Sequence, residues 1–319
     1  MLRLKESVKV AITAVSVAIA PFIANQAFAE NASPSIIPDW AYKSSTSNSK
    51  EFQQESAEIE EVLKKIEEAW NAHNLETLMS YYADDYISND GLDKKGVESI
   101  TQDIWKDYPD VKSTSTTTDM RIEGNYATIY SRDLAIGSTA KALPEIGGKG
   151  ELQSLSEGQL YLKRVGTGWK IIGDRIDYEK TKLAFGLSKQ LNAEFTAPEQ
   201  IKGGSQYTAK VEMALPPGLA WKGIIINQPL EQPLPKPNHN ADQWRNLETN
   251  ILERVIPSNT KNRNELLTAI IGVTDLNRRN LMGVAFYTRR LNVVPPPDKT
   301  REATQAASNS TKAESKAPQ

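Results

Sequence analysis

The sequence has 319 residues, no cysteine, two histidines and a formal net charge of -2, with 39% apolar and 24% charged side chains. Without cysteine it is neither a disulfide scaffold, a lipid-anchored lipoprotein nor a thiol enzyme, and burial alone must stabilise it. Charge is uneven, with 18 basic against 25 acidic residues from Lys50 to Lys189 and 12 against 9 from Gln190 to Val294, so neither half offers the concentrated basic face that nucleic-acid phosphates require.

The chain opens with basic Arg3, Lys5 and Lys9, an apolar run from Val10 to Ala20, and Asn25-Gln-Ala-Phe-Ala29. This is the layout of a secretory signal (residues 1–29), with small residues at Ala27 and Ala29 before the cut. The apolar run is shorter than the roughly 20 residues a bilayer span needs, and Pro21 closes it. The expectation is cleavage after Ala29, export to a periplasm or the exterior, and no stable membrane insertion afterwards. Residues 30–49, rich in Ser, Asn and Pro, read as a flexible tether. Residues 295–319, in which three prolines lead into an Ala/Ser/Thr/Lys/Glu mixture, read as a disordered tail. What remains matches two domains at roughly 100 to 200 residues each.

Apolar positions Ile59, Val62, Leu63, Ile66, Ala69 and Trp70 recur at three- and four-residue steps, one face of an amphipathic helix. Glu60 with Lys64 and Glu61 with Lys65 add pairs on its wet face. A short helix is expected from Leu75 to Tyr82. A third, on Val97, Ile100, Ile104 and Tyr108, is expected to start after Gly96 and stop before Pro109. The pattern then turns to strands at Ser113 to Ile122, Tyr126 to Ile136, Glu151 to Val165 and Trp169 to Ile176, with turns at Gly124-Asn125 and Gly166-Thr-Gly168.

Three stretches carry a resemblance: Ile66-Glu-Glu-Ala-Trp-Asn-Ala-His-Asn-Leu-Glu-Thr-Leu-Met-Ser-Tyr-Tyr-Ala-Asp-Asp-Tyr86, Lys95-Gly-Val-Glu-Ser-Ile100, and Gly168-Trp-Lys-Ile-Ile-Gly-Asp174. Together they resemble the SnoaL-like, nuclear-transport-factor-2-like superfamily over residues 50–186. The resemblance implies an α+β cone: a curved antiparallel sheet wrapped around the first helix and enclosing a pocket. It implies no single activity, because function lives in sites grafted on folds. In such a pocket a buried carboxylate could serve as base and a tyrosine as oxyanion donor. The candidates are Asp133, Glu157 and Asp174 for the base and Tyr86, Tyr130 and Tyr161 for the donor, with Trp70, Trp105 and Trp169 lining or plugging the pocket. Tyr130 and Asp133 fall on opposite faces of their strand unless a bulge intervenes. The bland alternative pairs these carboxylates with Arg132 and Arg175 on the outside.

In the second half, Tyr207 to Leu215 alternate and end at Pro216-Pro-Gly218, and Trp221 to Asn227, Glu265 to Thr274 and Leu281 to Val294 read as further strands, the last two joined by Asp275 to Asn280. Residues 190–294 are therefore expected to form a mostly-β, sandwich-like domain, loosely similar to immunoglobulin-like domains. One segment dissents: Trp244, Leu247, Ile251 and Val255 are spaced for a helix capped by Asn240, which leaves α+β open for this domain.

Catalytic motifs are sparse. His73, at the end of the first helix, suits the helix dipole, and His239 sits in a proline-rich loop. Asp84, Asp85, Asp90 and Asp93 fail the calcium-loop template, since aligning Gly91 puts Tyr86 and Val97 at ligand positions; they read as a solvated turn. Ser138-Thr-Ala-Lys141 has no Lys-Thr-Gly partner, and the glycine clusters lack the remaining positions of nucleotide-binding loops. No cofactor and no metal are expected. The sequence thus points to an exported, non-catalytic binding or assembly protein, in which a cone pocket and a sandwich contact a small apolar ligand or an envelope protein. The extended Pro229 to Pro237 segment fits such a role, and a homodimer is compatible with it. The alternatives are an isomerase, lyase or hydrolase with a pocket carboxylate as general base, and a dimeric structural envelope component.

Overall fold

The computed structural model describes residues 50–231 and 244–295. The leader, the tether, the tail, His239, Asn240 and residues 232–237 of the proline-rich segment lie outside the described residues. No helix among the described residues is long and apolar enough to cross a membrane.

Helix α1 (Lys50–Asn71) buries the predicted stripe, with Ile59, Leu63, Ile66, Ala69 and Trp70 inside. Its wet face carries Lys65–Glu61 at 3.3 Å and Lys64–Glu68 at 4.0 Å, so Lys64 pairs forward rather than with Glu60. The chain reverses through His73, whose φ of 55° is left-handed, into α2 (Leu75–Ser80), where the Asn74 side chain accepts the Thr77 N–H at 3.1 Å. Helix α3 (Lys94–Asp107) starts earlier than expected. Asp93 caps it by accepting the Gly96 N–H at 2.8 Å, which places Gly96 inside the first turn.

Strands β1 (Lys112–Glu123), β2 (Tyr126–Leu143), β3 (Gly148–Val165) and β4 (Gly168–Gly186) form the expected antiparallel meander; β2 and β4 run well past their predicted ends. After a turn of 3-10 helix come β5 (Ala193–Thr196), β6 (Gln200–Lys202), β7 (Gln206–Met213), β8 (Leu219–Pro229), β9 (Arg245–Leu247), β10 (Ile251–Pro257), β11 (Glu265–Asp275) and β12 (Leu281–Val294). The helix reading of residues 240–256 gives way to β9 and β10. On β10, Leu252 and Ile256 are buried while Ile251 and Val255 face water, so the two-residue period prevails over the four-residue one.

One sheet runs β1-β2-β3-β4-β12-β11-β8-β9, with β6 pairing the end of β12, and a second runs β10-β7-β5. Because β4 pairs with β12 from Gly283↔Gly186 to Arg289↔Lys180, the long sheet is continuous across residues 186–190. The two faces of its second half bury different things. Ala184, Ile225, Ala269, Ala285 and Tyr287 pack against the three-stranded layer, while Phe185, Ile224, Ile270, Val284 and Phe286 join the core around α1. Strand β11, buried from Glu265 to Thr274, lies between the two cores, which explains its nearly unbroken apolar run. The fold is α+β, with helices lining a large antiparallel sheet and a β-rich second half.

Candidate functional site

The inner face of the long sheet, the one turned to α1, is not uniformly apolar. Ser115, Asp133, Ser156 and Glu179 occupy paired positions across β1 to β4, and Ser154, Thr181, Thr288 and Thr268 do so across β3, β4, β12 and β11. All eight are buried. Directly paired positions place side chains about 5 Å apart, so these are two polar rows crossing the core.

Two bulges in the β3–β4 pairing decide which carboxylates of β4 join this face. Register shifts at Tyr161/Leu162 and Glu157/Gly158 each insert a residue into β4. Ile171 faces inward; the first shift brings Asp174 inward opposite buried Leu160, and the second returns Glu179 to the inner face opposite Ser156. A bulge-free strand could not present both.

Among the proposed bases, Asp133 faces inward at 5% exposure, accepting the Ser131 hydroxyl at 3.3 Å. Burial pushes its carboxyl well above the ordinary range, the Ser115 and Ser131 hydroxyls oppose that shift, and the Glu67 charge adds to it. Glu67 on α1 is itself pushed up to about 7 by burial and by Glu68, and its Oε2 has no hydrogen-bond partner among the described residues. Asp174 accepts the hydroxyl of buried Tyr86; burial raises its pKa while that bond lowers it. Glu157 is elsewhere: it lies on the outer face, accepting the Arg132 Nε at 2.8 Å. Half-exposed pairs of this kind contribute little. Glu157→Ala is expected to change stability by less than about 1 kcal/mol in urea unfolding.

Of the proposed donors, only Tyr86 meets a carboxylate on the inner face. Tyr130 stays opposite Asp133, as parity requires, under the Arg121 guanidinium, and Tyr161 donates to Gln159 at 3.0 Å. Trp70 and Trp169 are packed within the core, and half-buried Trp105 meets the Trp70 ring edge-on at 6.0 Å and stacks on His73 at 4.8 Å. Trp70 and Trp105 therefore consolidate packing near the end of α1, while Trp169 lies under the Arg164 guanidinium at 5.0 Å.

The sequence reading missed the most constrained group on this face. Arg290 of β12, 3% exposed, gives both terminal nitrogens to Asp90 at 2.8 Å each and its Nε to Asn292 at 2.8 Å. Asn264 adds a bond to Asp90 at 3.1 Å. Asp90 is thus no solvated turn residue: the α2–α3 loop, laid along β4 by Ile87 and Asn89 N–H bonds, is clamped to the second half of the chain. Asp84 and Asp93 fare more as expected, one exposed beside Lys94 and the other a helix cap.

Glu179 sits beside this clamp without sharing it. It is 3% exposed, burial pushes it up to about 7 against the lowering effect of Arg290, and its Oε1 has no hydrogen-bond partner among the described residues. The hydroxyls of Thr268, Thr288 and Ser113 are in the same condition. Glu265, equally buried in the second half, shows what a purely structural carboxylate looks like here: it takes bonds from Tyr207, Asn227 and both the backbone and side chain of Asn259. Among the described residues no group of three or more His, Cys, Asp or Glu could hold a metal ion.

No family model and no curated protein matches the chain. Among solved structures, it is similar to Bd1075 of Bdellovibrio bacteriovorus, at 15% identity and a TM-score of 0.33, over 40% of this chain and 42% of that one. It is also similar to a putative scytalone dehydratase from Novosphingobium aromaticivorans (16% identity, TM-score 0.34, 39% of this chain and 83% of that one). A third is the hexachlorocyclohexane dehydrochlorinase LinA-type3 from Novosphingobium barchaimii (15% identity, TM-score 0.32, 40% and 89%). The chain spans less than half the length of Bd1075. Residues 50–186 form three helices followed by a bulged four-stranded antiparallel meander around α1, the helix and strand order that the sequence resemblance implies.

Proposed function

We propose that this is an exported binding protein whose ligand seats on the inner face of the long sheet, a face that both halves of the chain build. The observation that carries the reading is that buried polar atoms of that face, Glu179 Oε1 on β4 and the Thr288 and Thr268 hydroxyls on the neighbouring strands β12 and β11, have no hydrogen-bond partner among the described residues. Leaving a buried polar group unsatisfied costs about 1–3 kcal/mol, and such groups in folded chains call for a partner from outside the fold. Export rests on the three-zone leader of the sequence.

A second reading, an isomerase, lyase or hydrolase, is favoured by the contact between Tyr86 and Asp174, one proposed donor and one proposed base. It is weakened by the same contact, because the Tyr86 proton is already given to Asp174 and is not free to meet an oxyanion.

Mass spectrometry of the full chain, isolated without unfolding and then extracted, separates the two. Binding predicts a stoichiometric small molecule that is recovered unchanged after incubation with fresh protein. A molecule recovered chemically converted supports catalysis, and an extract with no stoichiometric small molecule counts against a ligand seat. In the ligand-free chain, Thr288→Val, which removes an unpartnered hydroxyl at constant shape, is expected to raise stability by about 1 kcal/mol in urea unfolding.

A further inference from the structure

We propose, independently of the ligand reading, that the β11–β12 turn docks the protein reversibly on an anionic phospholipid surface. Leu276 enters the interface, and Arg278 and Arg279 meet the lipid phosphates.

The first observation is a strained residue where the other turns have glycine. The β1–β2, β2–β3 and β3–β4 turns place Gly124, Gly147 and Gly166 in the left-handed region, at φ of 59°, 78° and 62°. Glycine enters that region without steric cost. The β11–β12 turn has Arg278 there, at 56°, where a side chain costs energy that glycine would not. A rigid frame holds it. The Asp275 carboxylate accepts the Arg279 N–H at 2.8 Å and the Asn280 side-chain amide at 2.7 Å, and the Arg278 N–H donates to the Asp275 carbonyl at 2.9 Å. An arginine kept against strain in an exposed turn is kept for its side chain.

The second is what the turn exposes. Leu276 is 66% exposed, and residues 277–280 after it all face water. The register shift at Val273/Thr274 makes Met282 an extra residue of β12, and the bulge leaves it 42% exposed. Asp275 pairs with Leu219, so the adjoining loop is residues 214–218, which holds no charge and exposes Pro216 and Pro217. Apolar side chains and two arginines thus share one end of the long sheet.

The third selects the partner. Among the described residues neither arginine forms an ion pair, and the one carboxylate of the turn, Asp275, is held by the turn's own N–H groups with the Arg279 charge beside it. An acidic protein would have to supply a fitted apolar seat for Leu276. A bilayer interface accepts a single projecting apolar side chain without one, and its phosphates attract the flanking guanidinium groups. The chain as a whole carries a net charge of -2, so this attraction is local to the turn and screened by salt.

The chain has no cysteine, so Leu276→Cys carries a single polarity-sensitive dye at the turn. With vesicles of equal parts phosphatidylglycerol and phosphatidylcholine, the dye on the full chain is expected to shift to the blue and saturate. Co-sedimentation of the unlabelled chain with the same vesicles is expected to weaken about tenfold in Leu276→Ser and about fivefold in each of Arg278→Gly and Arg279→Gln. Added salt and phosphatidylcholine alone are expected to weaken it too. Arg278→Gly is expected to unfold at no lower a urea concentration than the parent, because glycine relieves the left-handed strain, so its weaker binding is not a damaged turn. An unshifted dye places any vesicle contact elsewhere, the apolar leader included, and overturns the proposal. Sedimentation equal in the parent and all three variants overturns it as well, as does equal binding to the two kinds of vesicle. Binding to heparin and to neither vesicle overturns the lipid surface as the partner. None of these results bears on the ligand seat, which the extraction experiment decides.

Discussion

Arg290→Met is expected to lower folding stability by about 3–5 kcal/mol, the loss typical of breaking a buried ion pair from one side. The size follows from what remains. Asp90, whose side chain is 17% exposed, loses both of its 2.8 Å bonds and keeps only the Asn264 amide. Asn292 loses the guanidinium Nε. Glu179 and Asp174 lose the positive charge that offsets their burial, so both are driven further toward protonation. Because Asp90 belongs to the α2–α3 loop and Arg290 to β12, the substitution also leaves the Asp90 side chain tied to the second half of the chain through Asn264 alone. Adding Asp90→Asn should restore much of the loss, since the stranded charge is then gone. Urea unfolding of the two variants measures both effects; a loss under about 1 kcal/mol for Arg290→Met would mean the pair behaves as a solvated one.

The second large effect is on pH dependence. Glu179 is pushed from 4.5 to about 7 in the folded chain, so the native state holds a proton that the unfolded state releases. Stability is therefore fully present below about pH 4.5 and falls as pH rises to about 7, after which this contribution is flat. A shift of this size corresponds to about 3 kcal/mol. Glu67, also pushed up to about 7 but only half-buried, acts in the same direction and more weakly. Asp133 and Asp174, both raised, add to the decline in their own ranges. Glu179→Gln is expected to flatten most of the slope between about pH 5 and 8, with the variant more stable than the parent at the upper end. An unchanged slope in that variant would place the Glu179 carboxylate in water.

How far the sequence reaches depends on whether a feature is local or long-range. Helix α1 and the four-strand meander follow from residue spacing, because each depends on neighbours a few positions away. The inward placement of Asp133 and the outward placement of Tyr130 follow from strand parity alone. Asp174 escapes that logic, since strict alternation from Ile171 points it outward, and only the bulge at Tyr161/Leu162 turns it in. The Asp90–Arg290 pair spans 200 positions and joins what the sequence divides into two domains, so no local pattern could disclose it. Arg290 did carry one signal: it continues the alternate positions of Val284 and Phe286 along its strand, where a buried arginine must have a partner. The β10 segment misled because Leu247, Ile251 and Val255 happen to repeat every four residues, while its buried pair, Leu252 and Ile256, is reached through strand alternation.

The most direct test is an electron-density map of the full chain, isolated without unfolding, at a resolution that shows ordered water. A ligand seat predicts density for a small molecule within hydrogen-bonding distance of Glu179 Oε1 and Thr288 Oγ1, with Arg290 still committed to Asp90. If those atoms instead turn onto neighbouring side chains and the sheet closes against α1 with no space between, both halves merely share a core, and the binding account is contradicted.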